Sequence, residues 1–378
     1  MKRNPFNFAI AALLLFSACV SQEPAPVSQN IRPENISIES ILMQDAAWYQ
    51  SKETMRIAEN VMIYQLATGG WQKDTDMIRP LSENETRMLL RAGQMNTNST
   101  FDNDATTTQI RFLAKMYNAQ PTPKILDSIS RGLDFIFTAQ YDNGGWPQDF
   151  PNPQGYHAGI TFNDDAITNN LYLLQEIATS SNPDFKFLKD DIRKKAAVAV
   201  KKGIECILKT QIVVDNTLTG WCAQYDPKTL APALARSYEH PSISGLEGVS
   251  ILRFLMSLDN PSPQMIKSIQ AGVAWFDKSA LKGIYLKKSN IKDDDFDFTV
   301  EKKADAPPLW ARFYEIKTNR PIFSGRDGII KYDVSEIEQE RRYNYRWYTD
   351  APLSFLRDEY PVWQQKWAPG NNVLKNKY

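Results

Sequence analysis

The sequence predicts a mainly α-helical fold: an α/α toroid, of three-fold (α/α)3 barrel type, with a cap of short strands and loops. Three observations predict it. A Gly-Trp motif recurs at a fixed spacing, apolar residues flank each copy at helical period, and after residue 278 the helical pattern breaks into short alternating runs. Stacked helical units of this kind bury their apolar faces only against one another.

The repeat comes first. Gly-Gly-Trp-Gln-Lys-Asp stands at 69–74, Gly-Gly-Trp-Pro-Gln-Asp at 144–149 and Gly-Trp-Cys-Ala-Gln-Tyr-Asp at 220–226, so Trp71, Trp146 and Trp221 are 75 residues apart each time. Ile125, Ile129, Leu133 and Ile136 recur at helical spacing, as do Ile192, Ala196, Ala199, Gly203 and Ile207, and Ile266, Ile269, Val273 and Phe276. After the loops, Phe101-Asp102-Asn103-Asp104-Ala105 and Phe162-Asn163-Asp164-Asp165-Ala166 open two helices almost identically, and a third begins near Ser242-Ile243-Ser244-Gly245. The unit is helix, Gly-Trp loop, helix, and residues 45–278 form the ring, with Asp, Asn and Trp gathered on one rim. Residues 279–345 carry strand-like runs at Ile284-Tyr285-Leu286 and Phe296-Asp297-Phe298-Thr299-Val300 and are expected to cap that rim.

The 378 residues allow a large core, and 42% hydrophobic with 23% charged residues is ordinary globular composition. Forty-four basic residues balance forty-four acidic ones, so no global field draws the chain to nucleic acid. Lys2 and Arg3 precede a short apolar run from Phe8 to Phe16 and then Ser17-Ala18-Cys19, a signal-peptide pattern too brief to span a bilayer. The Phe-Ser-Ala-Cys ending resembles a lipobox, the alternative being an ordinary cleaved signal with an incidental cysteine. The expected organisation is a lipoprotein signal peptide at 1–19, a proline-containing tether at 20–38, a catalytic domain at 39–350 and a C-terminal extension at 351–378. The chain is then exported, held at the bacterial envelope by lipid on Cys19, and monomeric. Cys206 and Cys222 could pair, although Cys206 lies in an apolar helical pattern that suits a buried thiol.

Asp102 and Asp164 precede equivalent helices, where Asp and Asn are favoured N-caps. Each site nevertheless carries three consecutive Asp or Asn residues, and the surplus oxygens suit a hard cation such as calcium. Ala235-Arg236-Ser237-Tyr238-Glu239-His240-Pro241 places an arginine on the same rim, either paired to Glu239 or functional. Arg312 and Arg326 lie among aromatic and turn residues, and with Lys73 they would suit a polyanionic sugar. Asp293-Asp294-Asp295-Phe296-Asp297 reads as a solvated turn.

Together these segments resemble the pectate lyases of polysaccharide lyase family ten, from about residue 45 to 350. The match runs through 69–74, 101–109, 144–148, 160–166, 221–227, 235–239, 310–314, 321–328 and Tyr345-Arg346-Trp347-Tyr348. The resemblance implies an α/α toroid that cleaves polygalacturonate by calcium-dependent β-elimination. It implies calcium at Asp102, Asn103 and Asp164, Arg236 as the base, Arg312 and Arg326 as substrate clamps, and Lys73 in substrate binding. The family loop usually reads Gly-Gly-Trp-Pro-Lys-Asn, whereas Gln72 and Asp74 stand here. A guanidinium base is awkward near neutral pH, and the expectation is that Arg312, Arg326, Lys73 and calcium lower its proton affinity; His240 is the alternative base. Two other functions compete, a terpenoid cyclase and a non-catalytic glycan-binding lipoprotein.

Overall fold

A computed structural model describes residues 40–95, 97–290 and 296–378. The signal peptide, the tether and Asp293–Asp295 lie outside the described residues. The helices are α1 (Lys52–Tyr64), α2 (Glu83–Gly93), α3 (Thr107–Ala119), α4 (Pro123–Ala139), α5 (Ala166–Thr179), α6 (Asp190–Thr210), α7 (Glu247–Ser257) and α8 (Pro263–Ser279). Three antiparallel pairs, α3/α4, α5/α6 and α7/α8, make the toroid; α3, α5 and α7 neighbour one another in one layer, and α4 packs on α6 in the other. Sharp starts come from Thr122 and Ser262, each accepting a backbone N–H and each followed by proline at the first helical position. No helix among the described residues is long and apolar enough to cross a membrane.

The tryptophans explain the repeat. Trp71, Trp146 and Trp221 are fully buried, and their indole N–H groups donate to the carbonyls of Val61, Ile136 and Ile207, at the ends of α1, α4 and α6. Trp310 does the same to Phe276 of α8 at 2.8 Å. It is a fourth copy, hidden from the 75-residue count by the cap inserted before it. Its following strand pairs Trp310 with Thr349, and helical turns then run from Ala351 to Trp367. Residues 351–378 pack onto the ring: Glu359 binds Arg253 of α7, and Lys375, Asn376 and Tyr378 bind Asp277 of α8.

Each loop is fixed from both sides. Gly144, at φ 96°, lies so close to α6 that an added Cβ would sit 2.0 Å from the Lys202 carbonyl. Gln65, Gln140 and Gln211 each bridge their own loop to the next helix, donating to Gly69 and Ser128, Gly144 and Ala199, and Thr219 and Ser268. Backbone bonds then stitch the rim. Thr100, Thr161 and Ser244 donate to Trp71, Trp146 and Trp221 of their own units, while Phe101, Phe162 and Gly245 donate to Gln148, Ala223 and Arg312 of the next. The rim turns are thereby held by two neighbouring units each.

The cap contains an antiparallel hairpin, Ile284–Asn290 against Phe296–Lys302, where the alternating runs predict strands. Asp297 is not a solvated turn residue: Arg342 binds its carboxylate from two nitrogens. Cys206 and Cys222 are buried, free thiols.

Candidate active site

The acidic turns differ from the N-caps that the sequence suggests. Asp102–Asp104 and Asn163–Asp165 are single 3-10 turns, and α3 and α5 begin beyond them without a side-chain cap. Asn103, Asp104, Asp164 and Asp165 all have φ between 48° and 59°, a left-handed conformation that Asn and Asp tolerate best after glycine. Thr106 joins them at φ 70°, costly for a β-branched residue, and its hydroxyl bonds the Thr100 carbonyl and the Trp71 N–H. The backbone is thus spent on presenting side chains rather than on capping. The two turns pack against each other, bringing Asp102 and Asp164 together.

Lys73, two residues after Trp71, donates to Asp102 Oδ2 at 2.5 Å. Partial burial disfavours its charge, but this bond together with the charges of Asp102, Asp74 and Asp164 outweighs it and holds the ammonium above its ordinary value. Asn103 donates to Asp74 at 3.3 Å, so the departure from the family loop at Asp74 touches the predicted ligand set directly. Asp164 has 40% of its side chain in solvent, yet crowding by protein pushes its carboxyl up to about 6; Arg312 opposes that shift, and Asp102 and Glu247 add to it.

Arg312, two residues after Trp310, is 6% exposed. Its Nη2 donates to Glu247 Oε1 at 2.6 Å and to Asn163 Oδ1 at 2.7 Å, and lies 3.9 Å from Asp164. It joins the second, third and fourth units at the rim, with little surface left for a ligand.

Arg236 is clamped by Glu239. Its Nε donates to Oε2 at 2.9 Å and its Nη2 to Oε1 at 2.6 Å. Tyr345 Oη donates to the same Oε1 at 2.6 Å, and its ring lies under both guanidinium groups, 5.6 Å from Arg236 and 4.7 Å from Arg312. Within the protein's own groups the balance at Arg236 runs towards a higher proton affinity. Burial disfavours the charge, but the Glu239 carboxylate prevails and holds the guanidinium above its ordinary value. Arg236 is still part of the rim, since its charge is felt by Asp164 and by Tyr156. Arg326 stands apart, exposed and bound to Glu340, and its carbonyl accepts from Ser237 of the Arg236 loop. His240 faces Ser324 of the cap at 3.3 Å, and burial keeps it below its ordinary value.

The oxygens of Asp102, Asn103 and Asp164 are the hard donors that calcium takes. Burial is the main cause of the raised Asp164 carboxyl, with Asp102 and Glu247 adding to it, and a cation bound there would favour its ionised form. Among the described residues no three His, Cys, Asp or Glu side chains gather closely enough to hold a metal alone. Asp102, Asn103 and Asp164 would therefore give a calcium ion only part of its shell, the rest falling to water or a ligand's own oxygens.

A profile of the family described as "Pectic acid lyase" matches residues 65–356. The chain belongs to the pectic acid lyase family. It is accordingly a pectate lyase enzyme, and the toroid is that of its structural neighbours. The family 10 polysaccharide lyase from Cellvibrio cellulosa is 32% identical, with a TM-score of 0.72 over 85% of this chain and 95% of that one. An Asp-to-Ala mutant of the Cellvibrio enzyme in complex with trigalacturonic acid is 31% identical, with the same TM-score, over 85% of this chain and 97% of that one. A search of curated proteins finds no match.

Three residues of this candidate site escape the sequence reading: Glu247, Tyr345 as a partner of both arginines, and Tyr156. Glu247 had a signal. Counted from Thr100, Thr161 and Ser244, it takes the position of Asn103 and Asp164 in the third unit. Tyr156 had none, because only folding brings the turn Gly155–Ala158 into the field of Arg236, Glu239, Asp102 and Lys73.

Proposed function

We propose that this chain cleaves α-1,4-linked polygalacturonate by calcium-assisted β-elimination, with Arg236 as the base, releasing unsaturated oligogalacturonides. One observation carries the reading: two oxygen-rich turns, Asp102-Asn103 and Asp164, share a rim with Lys73, Arg236 and Arg312. The trigalacturonic acid complex of the Cellvibrio enzyme supports the substrate class. The C5 hydrogen of a galacturonate lies α to a carboxylate, so its removal places further negative charge on that carboxylate. Asp102, Asn103 and Asp164 would hold a calcium ion, which would supply positive charge there when bound. Lys73 and Arg236 bind and orient the sugar acid, while Arg312 fixes Asn163 and adds its field from below. Arg326 is an outlying substrate contact. Arg236 takes the C5 proton, and the C4–O bond breaks with its electron pair leaving on oxygen. Glu239 makes the neutral guanidine scarce, which puts working activity at alkaline pH.

We assign export and a lipid anchor at Cys19 on the strength of residues 1–19, with the catalytic domain displayed as a monomer. Mass spectrometry of digested polygalacturonate tests the reaction. Products that lack the water added by hydrolysis support elimination, and hydrated products overturn it.

A further inference from the structure

All acceptor capacity shown for Glu239 goes to two residues. Oε2 accepts from the backbone N–H of Arg236 at 3.0 Å and from its Nε at 2.9 Å, and Oε1 accepts from Arg236 Nη2 and Tyr345 Oη, both at 2.6 Å. The carboxylate is 7% exposed, whereas 40% of the Arg236 side chain reaches solvent. Among the described residues Arg236 Nη1 makes no hydrogen bond, while Nε and Nη2 are both engaged. Tyr345 is the link to the other rim cation, since Arg312 stacks on the same ring. An arginine held on one edge has a single free nitrogen and a fixed plane.

We propose that Glu239 and Tyr345 are positioning residues of the elimination: they grip the Nε and Nη2 edge of Arg236, leave Nη1 as the nitrogen that meets the C5 proton, and set Arg236 and Arg312 in register on one aromatic ring. The inference rests on the proposed lyase reading and deepens it. In the step, neutral Arg236 accepts the C5 proton on Nη1. The C–H electron pair moves toward the substrate carboxylate and then expels the C4 oxygen, which takes a proton from water. Arg236 returns its proton to solvent. The groups facing Arg236 are Glu239 and Tyr238 of its own loop, Tyr345, Tyr156 of the turn Gly155–Ala158, and Asp164. Glu239 is the nearest anion, so orientation comes at the expense of basicity.

The experiment measures kcat, KM and the pH profile on polygalacturonate with calcium, for the full chain and three variants. Glu239→Gln keeps the volume and one acceptor but removes the charge. Its plateau kcat should fall about 10- to 100-fold from lost alignment, while the rising limb of the profile moves at least about one pH unit lower. Tyr345→Phe keeps the stack and loses only the hydroxyl; kcat should fall about tenfold with KM within about twofold. Tyr345→Leu removes the shared ring and should raise KM as well. Circular dichroism and thermal melting establish that each variant is folded. Wild-type turnover with an unmoved pH limb in Glu239→Gln overturns the positioning role and leaves the lyase reading standing. Loss in Tyr345→Phe confined to KM overturns it as well. A wild-type enzyme silent on polygalacturonate overturns the lyase reading itself.

Discussion

Removing the Arg312 guanidinium should destabilise the ring more than any other single change at the rim. Arg312 and Glu247 have side-chain exposures of 7% and 2%, and their 2.6 Å contact ties the fourth Trp loop to the third rim turn. In Arg312→Ala the Glu247 carboxylate keeps only Ser244 among the polar partners described and stays buried with an uncompensated charge. Breaking one partner of a buried pair costs about 3–5 kcal/mol. Asn163 loses its acceptor bond as well, worth about 1 kcal/mol. At roughly 1–2 °C per kcal/mol for a domain of this size, the melting temperature should fall by at least about 4 °C. Arg312→Met with Glu247→Gln in one chain should recover about 2 kcal/mol or more relative to the sum of the single changes, since the stranded charge is gone. Urea unfolding of the wild type, Arg312→Ala, Arg312→Met, Glu247→Gln and the double variant, carried out at neutral pH, measures the loss and this coupling. A loss under about 1 kcal/mol in Arg312→Ala, or strictly additive single changes, would refute the argument and leave Arg312 as a surface ligand only.

Other predictions follow from the same geometry. Gly144→Ala should severely impair folding, because φ is 96° and the new Cβ would meet the Lys202 carbonyl, whereas Gly155→Ala, at φ 57° with open space, should cost about 1 kcal/mol; soluble yield and melting temperature separate them. Trp146→Phe should lose about 1–3 kcal/mol from the unsatisfied Ile136 carbonyl and the smaller ring, measured by chemical denaturation. Calcium affinity, measured by titration calorimetry, should fall as pH drops through the Asp164 value of about 6, by up to about tenfold per pH unit, because only the ionised carboxylate binds. The same carboxyl affects stability with a definite sign. Its folded value lies above the usual aspartate value, so the folded state holds a proton that the unfolded chain has released between these two values. Its contribution therefore declines as pH rises from about 4 to 6 and is flat above. Asp164→Asn should remove that decline in denaturation curves taken across the window.

The repeat made much of this fold legible because each Gly-Trp loop solves the same packing problem with the same residues. Trp310 escaped because what marks it is a hydrogen bond to Phe276, thirty-four residues earlier, across an inserted cap. Asp102 and Asp164 were legible as a pair through their near-identical flanks. Their backbone was not: the excess of Asp and Asn read as capping, and the left-handed turns that replace caps depend on anchoring to two neighbouring loops. The state of Arg236 was least legible. The motif holds Glu239 three residues on, yet whether that carboxylate or the surrounding cations govern the guanidinium depends on distances that spacing does not encode.

The central claim is elimination by Arg236 on a calcium-dependent rim, and the direct measurement is ultraviolet absorbance of the conjugated product from polygalacturonate, for wild type and Arg236→Ala, with calcium and with excess chelator. Absorbance should climb only for the wild type with calcium, while Arg236→Ala still binds the polymer. A flat wild-type trace with calcium, or comparable turnover by Arg236→Ala, would contradict the account.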